Sequence, residues 1–194
     1  MIIWINGSFG AGKTQTSYEL NRRIKHSFVF DPERFGFRIQ KDLPKGIRKD
    51  DFQDYSIWRT YIAETLRYLD ANYEGVVIVP MTLIKKEYFY EIITALQKEQ
   101  IPIKHFSLLA SEETIQRRLR KRGDGPGSWN AKQVAKCVAA LSDPLFETHI
   151  QTESKPIAAV AEEIGQIAGI PLTGRHSKLS QMMYQIMIQI KHIR

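Results

Sequence analysis

The sequence of 194 residues has a single cysteine, Cys137, and no long apolar run. One cysteine excludes an intramolecular disulfide bond and fits a reducing compartment. No apolar stretch approaches the roughly 20 residues that a membrane-spanning helix needs. No basic segment precedes the short apolar run at the N-terminus, as it would in a signal peptide. We therefore expect a cytoplasmic protein in which Cys137 is an inert thiol packed in the apolar stripe of a helix.

Acidic residues are fewer than basic ones, 21 against 28, which gives a net charge of +7. This excess favours a polyanionic ligand such as a nucleotide or an anionic membrane surface, although a solvated basic surface has the same composition. We expect no nucleic-acid partner.

Apolar strands and amphipathic helices alternate along the chain. Strands are predicted at residues 1–6, 28–33, 75–83, 104–110 and 147–152. Helices are predicted at 13–25, 52–72, 85–99, 111–122, 130–142 and 156–168. This alternation predicts an α/β fold: a five-stranded parallel sheet with helices on both faces, in three layers. We assign residues 1–170 to this domain and 171–194 to a linker and a C-terminal helix.

Residues 7–14 match the phosphate-binding pattern G-x-x-x-x-G-K-S/T without a mismatch. The loop follows a buried strand and leads into a helix, as this P-loop requires. Its backbone N–H groups and Lys13 would hold the phosphates of a nucleotide, and the Thr14 hydroxyl would ligate Mg²⁺. The predicted nucleotide-binding residues are Gly7, Phe9, Gly10, Ala11, Gly12, Lys13, Thr14 and Gln15.

Two absent motifs narrow the class of nucleotide-binding protein. No guanine-reading N-K-x-D motif is present, which argues against a GTPase, and the chain is short for a motor or a helicase. A small kinase with an arginine-bearing lid fits better, with ATP as its donor. The strand at 75–83 carries Pro80-Met81-Thr82 where a Walker B carboxylate would be expected, so Mg²⁺ needs another ligand.

A basic helix and a glycine-rich loop form the candidate lid, at about 117–130. Arg118 and Arg122 are four residues apart and share one helix face. One would stack on the adenine and the other would clamp phosphate. A solvated basic helix face is the alternative interpretation.

Asp31 and Glu33 follow the second predicted strand, at the carboxyl edge of the sheet, where ligands of such folds bind. Asp31 is the favoured general base for an acceptor hydroxyl and a second candidate Mg²⁺ ligand. The alternative is that Asp31-Pro32 only opens a turn.

The chain resembles the bacterial tunicamycin resistance protein family nearly from end to end. The stretches that carry the resemblance are WINGSFGAGKTQT, DPERFGF, DDFQDYSIWR, VIVPMT, EYFYEII, SWNAKQVAKCV and FETHIQT. The resemblance implies a P-loop kinase-like fold, ATP binding and protection against a nucleoside antibiotic with uridine-like, sugar and acyl parts. It also implies that the Pro80 strand ending is shared by the family, and that the protein associates with membranes through its tail.

The segment 51–61 supplies the acceptor-site candidates Asp51, Gln53, Trp58 and Arg59. An aromatic ring beside a cation and polar groups suits a base or a sugar. Alternatively, Trp58 is a core residue of an amphipathic helix.

The C-terminal tail reads as a basic amphipathic helix at 178–194. Its apolar stripe comprises Leu179, Met182, Met183, Ile186, Met187, Ile190 and Ile193. Ile188 lies off this stripe, and residues 174–194 contain no acid. Such a helix binds an anionic membrane interface or packs on its own domain.

Three functions remain open at this point. The first is an ATP- and Mg²⁺-dependent phosphotransferase acting on a nucleoside antibiotic, with Lys13, Asp31, Arg118 and Arg122 as catalytic residues. The second is a membrane-associated, ATP-dependent binder that does not modify the antibiotic. The third is a nucleotide kinase.

Overall fold

The computed structural model describes residues 1–175 and 177–191, and its strands form one parallel sheet. The strands are β1 (Ile2–Gly7), β2 (Ser27–Val29), β3 (Val76–Pro80), β4 (Ile103–Leu109) and β5 (His149–Gln151). Their order across the sheet is β2-β3-β1-β4-β5, and every neighbouring pair is parallel. The predicted five-stranded parallel sheet is confirmed.

Helices connect the strands and follow the last of them. They are α1 (Lys13–Arg23), α2 (Pro32–Asp42), α3 (Ser56–Asn72), α4 (Lys86–Phe89), α5 (Ala95–Lys98), α6 (Glu112–Arg122), α7 (Trp129–Leu141), α8 (Ile157–Ala168) and α9 (Lys178–Lys191). A π-helical turn, Tyr90–Thr94, joins α4 directly to α5.

Alternation of side chains along β1 divides the core into two clusters. Ile2 and Trp4 pack with residues of α3, α4 and α5, whereas Ile3 and Ile5 pack with residues of α1 and α8. All four side chains are fully buried, and each contributes about 1.5–3 kcal/mol by its removal from water. Helices on both faces therefore fix the position of β1 and of the loop that follows it.

The predicted strand at 28–33 is wrong beyond Val29. Asp31 instead caps helix α2, because its carboxylate accepts the backbone N–H of Glu33 at 3.1 Å. Pro32 occupies the first turn, where its fixed φ and missing N–H are tolerated. These helix-start signals are present in the sequence, and they override the apolar run before them.

The linker before α9 is tied to the domain. The Arg23 guanidinium donates through Nε to the Thr173 carbonyl at 2.9 Å and pairs with Glu162 at 3.0 Å. Arg175 pairs with the same carboxylate. The linker thus leads the chain back to α1.

Helix α9 packs against α1. The Gln15 side-chain amide donates to the Gln185 carbonyl at 2.9 Å, and the Arg22 guanidinium lies 4.7 Å from the Tyr184 ring centroid. Ile188, which the sequence places off the apolar stripe, is only 2% exposed. The exposed members of the stripe are Leu179, Met182, Met183, Ile186 and Met187. The helix therefore packs on its own domain and still presents an apolar face.

The other two predicted members of the stripe, the Ile190 side chain and Ile193, lie outside the described part of the chain. No helix within residues 1–175 and 177–191 has the length and hydropathy to cross a membrane.

Candidate functional site

The P-loop leaves β1 at its carboxyl end and packs against the candidate lid. Gly10 and Gly12 have φ angles of +85° and +102°, which residues with a side chain rarely adopt. A Cβ on Gly10 would lie 3.1 Å from Leu119 of α6. Glycine is therefore required here both by the backbone conformation and by the close approach of α6.

The start of α1 has the features of an anion site. Gly12 is the N-cap residue and offers no side chain to the N–H groups of the first turn. Those N–H groups and the positive end of the helix dipole therefore suit phosphate oxygens. Thr14, in the same turn, is half-buried and has the hydroxyl oxygen that Mg²⁺ favours.

Lys13 is a buried cation that folds back over the P-loop. Its Nζ donates to the carbonyls of Gly7 and Ser8 at 3.0 and 3.1 Å, and it lies 5.2 Å from the Phe9 ring centroid. Burial lowers the pKa of Lys13 to about 8, although the charges of Glu33 and Asp31 oppose this shift. The lysine therefore keeps its charge at neutral pH.

Both predicted carboxylates lie near this cation. Asp31 and Glu33 sit at the N-terminus of α2, and the charge of each acts on Lys13. The structure thus brings the P-loop lysine within electrostatic reach of the candidate base. Asp31 as the base and as a metal ligand stays a prediction.

A threonine lies at the position of the missing Walker B carboxylate. Thr82, two residues beyond β3, is buried, and its hydroxyl donates to the Gly7 carbonyl at 2.8 Å. Sequence analysis missed this role, although Thr82 is the first polar side chain after the apolar strand. A hydroxyl rather than a carboxylate therefore braces the P-loop from β3.

The lid candidate, at about 117–130, spans the second half of α6, the loop 123–128 and the start of α7. Arg118 donates to the Thr152 carbonyl at 2.6 Å, beside the end of β5. Arg122 pairs with Asp124 at 2.7 Å, and its charge acts on Lys13. Arg118 is thus held against the end of β5, whereas Arg122 uses its Nε for Asp124. The roles of both arginines stay predictions.

The segment with the predicted acceptor residues belongs to a network of charged and aromatic groups. Burial raises the pKa of Asp51, whose carboxylate also feels the charges of Lys85 and of Lys136 on α7. Asp54 accepts hydrogen bonds from Lys85 and from Tyr88, the latter at 2.6 Å. Lys85, Tyr88 and Lys136 were missed because they belong to segments distant in sequence.

Three of the predicted acceptor residues, Trp58, Gln53 and Arg59, are buried or pair with other groups of the protein. The Trp58 ring is fully buried and donates to the Pro32 carbonyl at 3.1 Å, which favours the alternative that Trp58 is a core residue. The helical period places Trp58 on the buried face of α3, where it contacts the start of α2. Gln53 is buried as well, and the Arg59 guanidinium lies 4.2 Å from the Tyr88 ring centroid and 2.5 Å from Glu91.

Cys137 lies on α7 next to the P-loop. Burial raises the pKa of this thiol, although the charge of Lys13 and a contact from Ser8 oppose the shift. The thiol is 1% exposed, as an inert packing group would be.

The residues present fit a nucleotide and its metal. The uncapped first turn of α1 and the Lys13 cation suit phosphates, and the hydroxyl of Thr14 with the carboxylate of Asp31 suits Mg²⁺. Mg²⁺ commonly needs only one or two protein groups besides the phosphates.

Comparisons with known proteins place the chain in a family. The model of the AAA domain family matches residues 2–144, more than half of the chain. The tunicamycin resistance protein of Deinococcus radiodurans is 32% identical, with a TM-score of 0.77, over 90% of this chain and 98% of that one. The chain belongs to the tunicamycin resistance protein family. No curated protein matches it.

Other members of this fold group are kinases. A gluconokinase from Sinorhizobium meliloti 1021 is 16% identical, with a TM-score of 0.58, over 94% of each chain. The shikimate kinase of Acinetobacter baumannii is 18% identical, with a TM-score of 0.53, over 86% of this chain and 91% of that one. At these identities the likeness shows the fold alone. This tunicamycin resistance family member therefore has a nucleotide-binding, kinase-like fold.

Proposed function

We propose that the protein is an ATP- and Mg²⁺-dependent phosphotransferase whose acceptor is a nucleoside antibiotic of the tunicamycin type. The observation that carries this proposal is the placement of Lys13 among P-loop carbonyls and under the charges of Asp31 and Glu33. The P-loop cation therefore lies within electrostatic reach of the candidate proton acceptors. Phosphoryl transfer to a hydroxyl needs both.

The chain's own groups have distinct tasks in this reaction. Lys13 and the first-turn N–H groups hold the phosphates, and Asp31 accepts the proton of the acceptor hydroxyl. The acceptor oxygen then bonds to the γ-phosphorus as the bond to ADP breaks. ATP supplies the phosphoryl group, and Mg²⁺ supplies charge at the β- and γ-phosphates. Arg122, released from Asp124, would neutralise the charge that develops on the transferred group.

Mass spectrometry after incubation with ATP, Mg²⁺ and tunicamycin tests the proposal. We expect a product heavier by one phosphoryl group, and none from Lys13→Ala. Lys25→Ala, which removes an exposed lysine, is the matched control. Asp31→Asn keeps a helix cap and removes the base, so the rate should fall by about 10²–10⁴-fold. Asp42→Asn, at the exposed end of α2, should leave it unchanged.

Two other results would reject phosphoryl transfer to the antibiotic. Saturable, ATP-dependent antibiotic binding without any heavier product would favour the non-modifying binder. One observation supports that alternative, namely that Thr82 stands where a Walker B carboxylate would be expected. Turnover of ordinary nucleoside monophosphates would favour a nucleotide kinase.

We further propose that the exposed face of α9 binds an anionic membrane surface. Support comes from the exposed side chains of Met183, Ile186 and Met187 and from the basic, acid-free tail. Co-sedimentation with phosphatidylglycerol-containing vesicles should fall for Ile186→Asp. Gln189→Glu, which adds the same charge to a polar exposed position, should have a smaller effect. Equal loss in both variants, or no vesicle binding by the wild type, would reject insertion of the apolar face.

A further inference from the structure

The side chain of Asn6, immediately before the P-loop, is fully buried and uses its whole hydrogen-bonding capacity. Its Oδ1 accepts the backbone N–H groups of Gly7 and Leu83 at 2.8 and 2.9 Å. Its Nδ2 donates to the Leu83 carbonyl at 2.7 Å and lies 3.2 Å from Nε2 of His105. One amide therefore joins β1, β4 and the segment after β3.

These contacts determine the protonation state of His105. Because Oδ1 accepts two N–H groups, Nδ2 must face His105, and Nε2 of the imidazole must accept. The ring proton then lies on Nδ1, which donates to the Glu147 carbonyl at 2.9 Å. His105 is thus neutral, with both ring nitrogens paired.

The surroundings of His105 favour the same state. Burial lowers the pKa of His105 to about 4, and the charge of His149 on β5 acts in the same direction. The rings of Phe89 and Phe146 pack around the imidazole at centroid distances of 5.0 and 6.5 Å. His105 therefore stays an acceptor for Asn6 throughout the physiological pH range.

The contacts converge on Gly7, the first residue of the P-loop. Asn6 holds the N–H of Gly7, while Thr82 and Lys13 hold its carbonyl at 2.8 and 3.0 Å. We propose that Asn6 and His105 are positioning residues, which set the P-loop donors in place by fixing Gly7 against the Thr82–Leu83 segment. This inference rests on nucleotide binding at the P-loop, the first step of the proposed function.

Replacement of Asn6 by aspartate separates this role from simple packing. Aspartate has nearly the same shape and still accepts from Gly7 and Leu83, but it can donate neither to the Leu83 carbonyl nor to neutral His105. The first donation is lost at every pH, whereas the contact with His105 is restored when His105 is protonated. Nucleotide affinity in Asn6→Asp should therefore depend on pH in a way that the wild type does not.

Calorimetric titration with a non-hydrolysable ATP analogue, between pH 5.5 and 8, measures this effect. Relative to the wild type at each pH, we expect Asn6→Asp to lose about tenfold in affinity at pH 8 and to recover part of this loss at pH 5.5. The double variant Asn6→Asp with His105→Gln has an amide donor at every pH and should lose this dependence. In wild-type protein, ¹⁵N spectra should show His105 with its proton on Nδ1 at pH 6.

The outcomes distinguish this inference from the proposed function. If the wild type binds the analogue and Asn6→Asp binds it with the wild-type affinity at every pH, the inference is overturned. The amide is then only structural, even if the variant has a lower melting temperature. If the wild type does not bind the analogue, the proposed function fails too. Should Asn6→Asp not fold, His105→Leu removes one of the two acceptors of Nδ2 of Asn6 and leaves the other, the Leu83 carbonyl, in place. Wild-type affinity in that variant would overturn the inference as well.

Discussion

The rings of Phe9 in the P-loop and Trp129 in α7 meet edge to face, with their centroids 5.2 Å apart. This contact joins the phosphate-binding loop directly to the lid candidate. Phe9 also packs on the small cluster that holds α6 and α7 together. A change at the P-loop should therefore reach α7 through one aromatic pair.

Trp129 should report nucleotide binding by its fluorescence. It is 48% exposed, whereas the other tryptophans, Trp4 and Trp58, are fully buried away from the loop. We expect titration with ATP to change the emission of the wild type and to leave that of Trp129→Phe nearly constant. If ATP changes the emission of Trp129→Phe as much as that of the wild type, the signal arises from another tryptophan.

Nucleotide affinity should fall as pH rises through about 8. The pKa of Lys13 is lowered to about 8 by burial, so the phosphate-binding charge is present below that pH and lost above it. Titration of an ATP analogue between pH 7 and 9.5 measures the profile. Lys13→Arg keeps its charge over this range, so its profile should be flat. Parallel profiles for the wild type and Lys13→Arg would show that Lys13 is not the group whose titration changes the affinity.

The free energy of unfolding should decrease between pH 6.5 and 4. His105 has a folded-state pKa of about 4 against an ordinary value of 6.5. The unfolded chain therefore takes up the proton first, and stability falls as pH is lowered through this window. The expected contribution is about 3 kcal/mol. Urea unfolding across this range should show a smaller decrease for His105→Gln than for the exposed control His26→Gln.

The docking of α9 should depend on Ile188 and not on Ile186. Ile188 is 2% exposed and Ile186 is 51% exposed, although both lie on the same helix. A buried aspartate costs far more than an exposed one, so Ile188→Asp should release α9 and speed its removal by limited proteolysis. Ile186→Asp should be cleaved at the wild-type rate. Equal rates in the two variants would mean that Ile188 does not hold the helix.

Local signals predicted much of the fold correctly. The P-loop, the buried strands and most helices follow from runs and periods that involve only neighbouring residues. The exception at 28–33 is instructive, since Asp31, Pro32 and Glu33 carry helix-start signals within the predicted strand. The Trp58 ring also followed its helical period into the core.

The acceptor side of the site depended on contacts that no local pattern reports. Lys85 and Tyr88 meet Asp54 from the segment after β3 and from α4, and Lys136 acts on Asp51 from α7. Each of these residues looks like an ordinary exposed or interfacial side chain in the sequence. Their grouping is a property of the packed helices.

By itself, the sequence determined a P-loop at the end of a central strand, because glycine, lysine and threonine at those spacings have one physical use there. Only the tertiary structure decided what holds that loop. Asn6 and His105 are 99 positions apart, and Thr82 is 75 positions from Gly7. They meet because β1 lies between β3 and β4, and the order of strands in a sheet is set by helix packing on both faces rather than by any local pattern.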